Sequence, residues 1–561
     1  MRLKKLMAAL VAGTMALTMA ACGGGTPTQS NGGTGTENGG AANGGAENSG
    51  DNAGGNEPAV AGVLTPNSDP ANTNTSDETL RIGLSSEPST LWGASEGKAE
   101  NEEQIINAAL LDRLVNVDPN TKEVQPNLAT AWEWVDDTHC KFTLREDVTM
   151  SDGTPLVADD VVYTVGIWTE RCATNDTGKF IVGAAADDEH TVTIEFNVAA
   201  PDLLSMMAWA NFGIVSEDEV NAAGGLDAVG KNPSLGSGKY KFKEWKSGQS
   251  ITLERNDNYW NPDYKGYFKE IVFTFTSDAA AREMAIESGD SDVTIDIPIS
   301  QAATYAQNDA VSTYIYSFGQ VSHLWYNMGE KAGPTKEQKV REAIDKALNF
   351  DAITQVATAG FGKPAMAYMD PAATYYKENY TAEERAADVE GAKALLAEAG
   401  YENGLEITAL GLSDITPVLT VMQANLAEAG ITLNIDTPDT AQFVEGAFGG
   451  DYDIICVGDD LTVRTPAIVP FCTKVNVNGP GMVIGGPKWT NDELDAAINT
   501  LISESDTSKL EEEGLAIGNM LKEQTVCSNL YAEMKAVVVS KDIKGYGTRE
   551  RGFMDVTTMY K

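Results

Sequence analysis

The chain has 561 residues, 82 of them acidic and 40 basic, for a formal net charge of −42 at pH 7. A surface that negative repels a phosphate backbone rather than displacing its counterions, which excludes nucleic acid as a partner. With 42% hydrophobic residues the length provides for two or three domains, and the acid excess is what a solvated surface carries without selecting a cationic ligand.

The amino terminus carries Arg2, Lys4 and Lys5, then an apolar run from Leu6 to Met19, then the small-residue site Met19-Ala20-Ala21 before Cys22. This is the layout of an export signal. The run falls short of the roughly 20 apolar residues that span a bilayer, and no later segment supplies them. The segment resembles a bacterial lipoprotein signal, which implies diacylglycerol on Cys22 and a mature chain outside the cytoplasm, anchored to the bacterial cell membrane. From residue 23 to 78 the composition falls to Gly, Asn, Thr, Ser, Ala and a few acids, with Val60, Val63 and Leu64 as the large apolar exceptions. Such a segment cannot bury enough surface to offset its ordering entropy and is expected to be a disordered leash.

The folded part, Thr79 to Lys561, opens on an alternating strand pattern, Leu80 to Leu84. Asn101 and Gln104 have capping-box spacing ahead of Ile105, Ile106, Ala109, Leu110 and Leu114, which recur at helical period. Short strand-like runs at Lys141–Arg145 and Thr191–Phe196 surround a helical segment starting near Asp159, the pattern of a smaller separate unit. Strand signals return at Gly238–Phe242, Ser250–Arg255 and Ile271–Phe275. Then come a strand Leu405–Leu410, a helix Thr416–Ala429 ended by Gly430, a strand Ile431–Ile435, a helix Thr440–Phe448 and a strand Tyr452–Val457. Successive β-α-β-α-β units imply parallel strands joined by helical crossovers, and hence an α/β fold. Ligands in such sheets sit beyond the carboxyl ends of the strands. Gly458, Asp459 and Asp460 occupy such an end.

Signals for catalysis or metal binding are poor. Cys140, Cys172, Cys456, Cys472 and Cys527 follow Cys22 without a Cys-x-x-Cys pair, and their odd number leaves a free thiol or an intermolecular bond open. His139, His190 and His323 have no helical zinc spacing, and neither a Gly-x-Ser-x-Gly elbow nor a phosphate-binding Gly-rich loop occurs. His139 and Cys140 are neighbours on a strand and so face opposite sides, which argues against ligation. No cofactor and no catalytic residue is assigned.

An ordered set of residues carries a family resemblance. It runs through Leu114-Val115, Asp118, Thr121, Glu123-Val124, Pro126-Asn127-Leu128-Ala129, Trp132-Glu133, Asp136-Asp137 and Phe142-Thr143-Leu144-Arg145 to Ser151-Asp152-Gly153-Thr154-Pro155-Leu156 and Ala158-Asp159-Asp160-Val161-Val162-Tyr163. Gly236-Ser237-Gly238-Lys239-Tyr240, Leu253 to Trp260, Glu287 to Asp292, Val340 to Leu348 with Asp351, and Ala392 to Gly400 extend it over nearly the whole folded part. The chain resembles the oligopeptide- and dipeptide-binding lipoproteins, family 5 of the solute-binding proteins of ABC importers. The resemblance implies a two-lobed, periplasmic-binding-protein-like α/β fold with mixed sheets, an extra small domain and a ligand cleft between the lobes. It places a discontinuous first domain at 79–116, 225–310 and 526–561, a small second domain at 117–224 and a third at 311–525. It implies a monomeric receptor for peptides or related small solutes that works with permease subunits and cytoplasmic ATPases. A surface sensor or adhesin on the same fold, or a binder of a sugar or metal chelate, stands as the alternative.

In relatives an aspartate soon after the last strand of the β-α-β run anchors the ligand's ammonium group. The matching stretch is Asp459-Asp460, with Arg464 as a carboxylate or structural partner, although Leu461-Thr462-Val463 replaces the usual Asp-Pro step. Ser95 and Glu96 lie in the segment that lines the cleft in relatives, where Leu91-Trp92 replaces a Leu-Asp-Pro step. Trp325 and Tyr326, and more weakly Trp209, are either aromatic faces for a ligand or core residues. Trp132 and Trp134 are read as structural.

Overall fold

The structure is a computed structural model that describes residues 63–66, 74–96, 101–118, 121, 123–172, 178–199, 201–231, 236–371, 373, 375–460, 489, 491–549 and 553–561. In chain order the elements that position the site begin with strand β1 (Val63–Leu64), β2 (Thr79–Leu84) and helix α1 (Asn101–Leu110). Next come β3 (Ala129–Trp134), β4 (His139–Leu144), α2 (Ala158–Arg171), β5 (Ile181–Asp188) and β6 (Thr191–Phe196). The chain then forms β7 (Tyr240–Lys246), β8 (Ser250–Arg255), β9 (Glu270–Phe275), α3 (Ala279–Ser288), β10 (Val293–Ile297) and the long β11 (Val311–Tyr326). Helices α4 (Gln338–Ala347), α5 (Phe350–Ala357) and α6 (Val389–Glu398) lead to β12 (Leu405–Leu410), α7 (Thr416–Glu428), β13 (Ile431–Asp436), α8 (Thr440–Gly449) and β14 (Ile454–Asp460). Helices α9 (Asp492–Ser503) and α10 (Leu510–Glu523) precede the second long strand, β15 (Cys527–Ser540).

The β12-α7-β13-α8-β14 run forms where the sequence pattern places it, and its ends are explained locally. Pro417 stands in the first turn of α7, where its missing N–H costs nothing. Gly430 follows that helix with φ 86°, a left-handed conformation that other residues adopt at a cost. The Asp439 side chain caps α8 by accepting from the Gln442 N–H at 3.0 Å, a contact of about 1 kcal/mol. Val418, Leu419, Met422 and Leu426 bury one face of α7. The alternating small unit also forms, as a separate four-stranded sheet ordered β3-β4-β6-β5, with α2 against it.

One mixed sheet runs through both lobes in the order β13-β12-β14-β11-β15-β10-β2-β9-β8-β7. Strands β2, β9 and β10 are mutually parallel, and β15 is antiparallel to β10 and to β11. Strand β14 is antiparallel to β11, while β12 and β13 run parallel to β14. Strands β2, β9 and β10 therefore run in the same sense as β11, toward the second lobe, and β12, β13 and β14 run back toward the first. Two sets of strand carboxyl ends face each other across the middle of the sheet.

The apolar cores respect that division. One cluster unites the first lobe with the small four-stranded unit, including Leu80, Ile82, Trp168, Phe273 and Val539. A second, around Ile297, Val311, Ile315 and Val538, covers the other face of the same lobe. Two more lie in the second lobe, one around Leu324, Tyr326, Leu419 and Ile454, the other around Trp325, Phe443, Ile455 and Leu521. Each lobe is thus a packed body of its own, and among the described strands only β11 and β15 run through both. No helix among the described residues is long and apolar enough to cross a membrane.

Candidate functional site: the middle of the crossing strands

The two long strands are sealed at both ends and open between. Val311–Ile315 and Val321–Tyr326 are buried in β11, while Tyr316, Ser317 and Gln320 are half-buried. In β15, Cys527–Tyr531 and Ala536–Val539 are buried, and Ala532, Glu533, Met534 and Lys535 are half-buried. A core strand that loses cover for a few residues in its middle marks a gap between two packed bodies.

The pairing also breaks there. Ser317 lies opposite Met534 and Val321 opposite Ala532, so Phe318, Gly319 and Gln320 stand against Glu533 alone. Gly319 takes φ 76°, which lets β11 bulge without a side-chain penalty. The Ser317 hydroxyl donates to Asp370 at 2.7 Å and receives the Gly319 N–H at 3.3 Å. A bulge opposite a single residue is where such a strand pair bends.

The walls are built by the facing strand ends. From the first lobe, Asp296 sits near the end of β10 at φ 53°, a backbone conformation that costs a non-glycine residue of order 1 kcal/mol. Its carboxylate lies 2.8 Å from the Ser85 hydroxyl and 3.9 Å from the Lys535 ammonium, and its carbonyl accepts from Arg282 at 2.9 Å. Ser85 also lies 3.0 Å from the Glu102 carboxylate at the start of α1, which accepts from Ser86 at 2.7 Å. Burial pushes the Glu102 carboxyl above its ordinary value; the serine hydroxyls oppose this, and the nearby Asp296 charge adds to it. A niche of about 40 Å³ opens between Glu102, Ile105, Asp296, Tyr316, Lys535 and Phe553, room for a water or a small polar group. From the second lobe, Asp414, just past β12, is electrostatically coupled to Lys535. Gly458, near the end of β14, approaches Glu533 so closely that a Cβ would lie 2.6 Å from the carboxylate oxygen. One ammonium facing carboxylates of both lobes makes the described part of this junction polar.

Asp459 and Asp460 lie at this junction, paired with Val321 and Gln320 at the end of β14. Arg464 and Cys22 lie outside the described residues. Five other candidates are placed away from the gap. Ser95 is 1% exposed; its hydroxyl donates to the Trp92 carbonyl at 2.7 Å, and its own carbonyl accepts from Arg171 of α2, so it ties the small unit to the first lobe. Glu96 closes the same short 3₁₀ turn, Gly93–Glu96. Trp209 is buried in the first-lobe cluster. Trp325 and Tyr326 are both 0% exposed. As strand neighbours they point to opposite faces and enter two different cores, where the Tyr326 hydroxyl meets Ser528 at 2.6 Å. The aromatic stacking reading therefore gives way to packing. Asp296, Glu102, Glu533 and Lys535 were missed, because nothing local distinguishes them until the strand ends are brought together.

Cys140, Cys172, Cys456 and Cys527 are all buried. Burial pushes the Cys140 and Cys456 thiols up to about 12, where they are poor nucleophiles and poor ligands. His139 turns to Asp136 at 2.9 Å, away from the Cys140 side of the strand. Among the described residues no group of three His, Cys, Asp or Glu side chains is placed to hold a metal ion.

Comparison with known proteins agrees with this architecture. Residues 123–467 match the family model of the bacterial extracellular solute-binding proteins, family 5 middle. The chain is 23% identical to the periplasmic murein peptide-binding protein MppA of Escherichia coli over 477 residues, 79% of this chain and 86% of that one. It is 26% identical to the dipeptide-binding protein of Escherichia coli over 425 residues, 68% of this chain and 77% of the relative. The crystal structure of the ABC transporter substrate-binding protein CtaP from Listeria monocytogenes superposes with a TM-score of 0.76 at 21% identity, covering 86% of this chain and 99% of that one. These relatives are binding proteins by name, and their structures share the two-lobed form. With two separately packed lobes, two crossing strands and the family model matched across both lobes, the chain belongs to the bacterial extracellular solute-binding proteins of family 5.

Proposed function

We propose that this protein is the extracytoplasmic receptor of an ABC importer, which captures a peptide or related small solute between its lobes and passes it unaltered to the permease. The observation that carries the reading is the half-buried middle of β11 and β15, flanked on each side by a sealed core. A solute that touches both walls favours closure by its differential affinity for the closed form, and the bulge opposite Glu533 supplies the bend. Extended peptide backbone pairs with exposed strand edges at such a junction, so side chains of varied size are tolerated. Asp296 and Glu533 supply acid for an ammonium terminus, Asp459 and Asp460 remain proposed anchors for it, and Arg464 remains the proposed partner for a carboxylate.

The finer parts of the reading are a lipid on Cys22 that holds the protein to the membrane, a monomeric receptor, and a permease driven by cytoplasmic ATPases. The domain division is proposed with borders near residues 117, 225, 311 and 526, with the bend itself inside the two long strands. A peptide library in a thermal-shift assay tests the function. Stabilisation that grows with free ligand concentration is expected, about 2.7 kcal/mol at a hundredfold excess over Kd. If no peptide stabilises the chain while a sugar or a metal chelate does, the peptide reading fails.

A further inference from the structure

The amino-terminal segment expected to be leash as far as residue 78 contains an ordered strand, and its place in the sheet is specific. Among the described residues, strand β14 covers β11 from Gln320 to Tyr326. The first-lobe half of β11, Val311–Ser317, would therefore offer an open edge of backbone N–H and C=O groups on that side, the kind of edge that recruits another strand. Strand β1 pairs there in parallel, Val63 with Thr313 and Leu64 with Tyr314. The parity is that of a true strand. Val63 packs on the cluster that holds Val311 and Ile315, which share the face of Thr313, while Leu64 is 42% exposed. Val63 and Leu64 are also two of the three large apolar residues in an otherwise polar stretch. Farther on, Ser76 donates its N–H to the Tyr267 carbonyl at 2.7 Å, and its own carbonyl accepts from Arg255 at 2.8 Å.

We propose that Val63–Leu64 is a built-in clip, by which the amino-terminal leash adds a strand to the first-lobe half of β11 and so holds the protein by its first lobe, beside the bend. The leash expected from the sequence to run to residue 78 is thereby joined to the sheet at Val63. The clip ends four residues short of the bulge at Phe318, so it stiffens one side of the bend and leaves the second lobe to swing.

Hydrogen exchange on the full chain, with and without Val63→Asp, tests this. Protection is expected at Val63–Thr65 and at those amides of Ser312–Ile315 that face away from β15. Val63→Asp should speed exchange at both places by at least about tenfold and leave Val321–Tyr326 unchanged. In a second test, Val63→Cys with Thr313→Cys should close a disulfide under mild oxidation, because directly paired strand residues have Cα atoms within bonding range. Free exchange at Val63–Thr65 in the unaltered chain, or no closure of the cysteine pair, overturns the clip. Neither readout involves ligand, so failure here is distinct from failure of the receptor reading.

Discussion

The ends and the middle of β11 and β15 are made of the same two strands and do opposite work. At the ends, alternate side chains enter separate cores, and the first-lobe pairing from Val311 to Ser317 is continuous. In the middle, three residues of β11 stand against one of β15, Asp296 holds an unfavourable backbone angle nearby, and Ser317, Gln320, Glu533 and Lys535 bring polar side chains among apolar ones. The contrast teaches that stability is kept in the lobes, while the junction holds backbone strain and half-buried charge that a solute can engage.

Substitutions that act at one place and spare the other will sharpen or break this contrast. The largest effect is expected from Trp325→Ala, which empties a fully buried site in the second lobe and should cost about 3–5 kcal/mol in urea denaturation. Because the lobes have separate cores, only one of two unfolding transitions should move. The milder Trp325→Phe should keep solute affinity, and a large loss of affinity with the fold intact would return this residue to the site. Lys535→Met should leave stability within about 1 kcal/mol, since its ion pair is partly exposed. It should weaken solute affinity by roughly fivefold, because carboxylates from both lobes then face each other without a cation. Titration calorimetry measures the affinity, and small-angle scattering should report a more open molecule.

Gly458→Ala should act less strongly. It forces the Glu533 carboxylate aside without touching either core, so a few-fold change in affinity with an unchanged melting temperature is expected. The smallest effect concerns pH. Glu102 has a folded pKa raised above the ordinary 4.5, so the folded state binds its proton more readily than the unfolded state. Its contribution to stability therefore falls as pH rises from 4.5 through the folded value. Glu102→Gln should remove this loss, raising the melting temperature slightly at pH 7 and hardly at all below pH 4.5.

Much of the second lobe was legible because its signals are local. The run from Leu405 to Val457 carries apolar periodicity, a cap at Asp439 and stops at Gly430 and Gly450, each set by residues a few positions apart. That Asp459 and Asp460 stand at the end of a strand was legible by the same logic, since a strand end can be counted along the chain. Trp325 and Tyr326 show the limit. A pair of aromatics on a strand looks the same whether both faces of that strand are covered or one is open, and here both are covered.

The chain by itself determined the α/β class, the order of strands and helices, and the absence of signals for catalysis, because period, capping and turn chemistry act over a few residues. Only the tertiary structure decided where the gap opens, which acids and which lysine meet in it, and that Val63–Leu64 joins the sheet. Those depend on strands more than 200 residues apart in the chain, β11 beside β15, coming into register, and no local pattern encodes a register between distant segments.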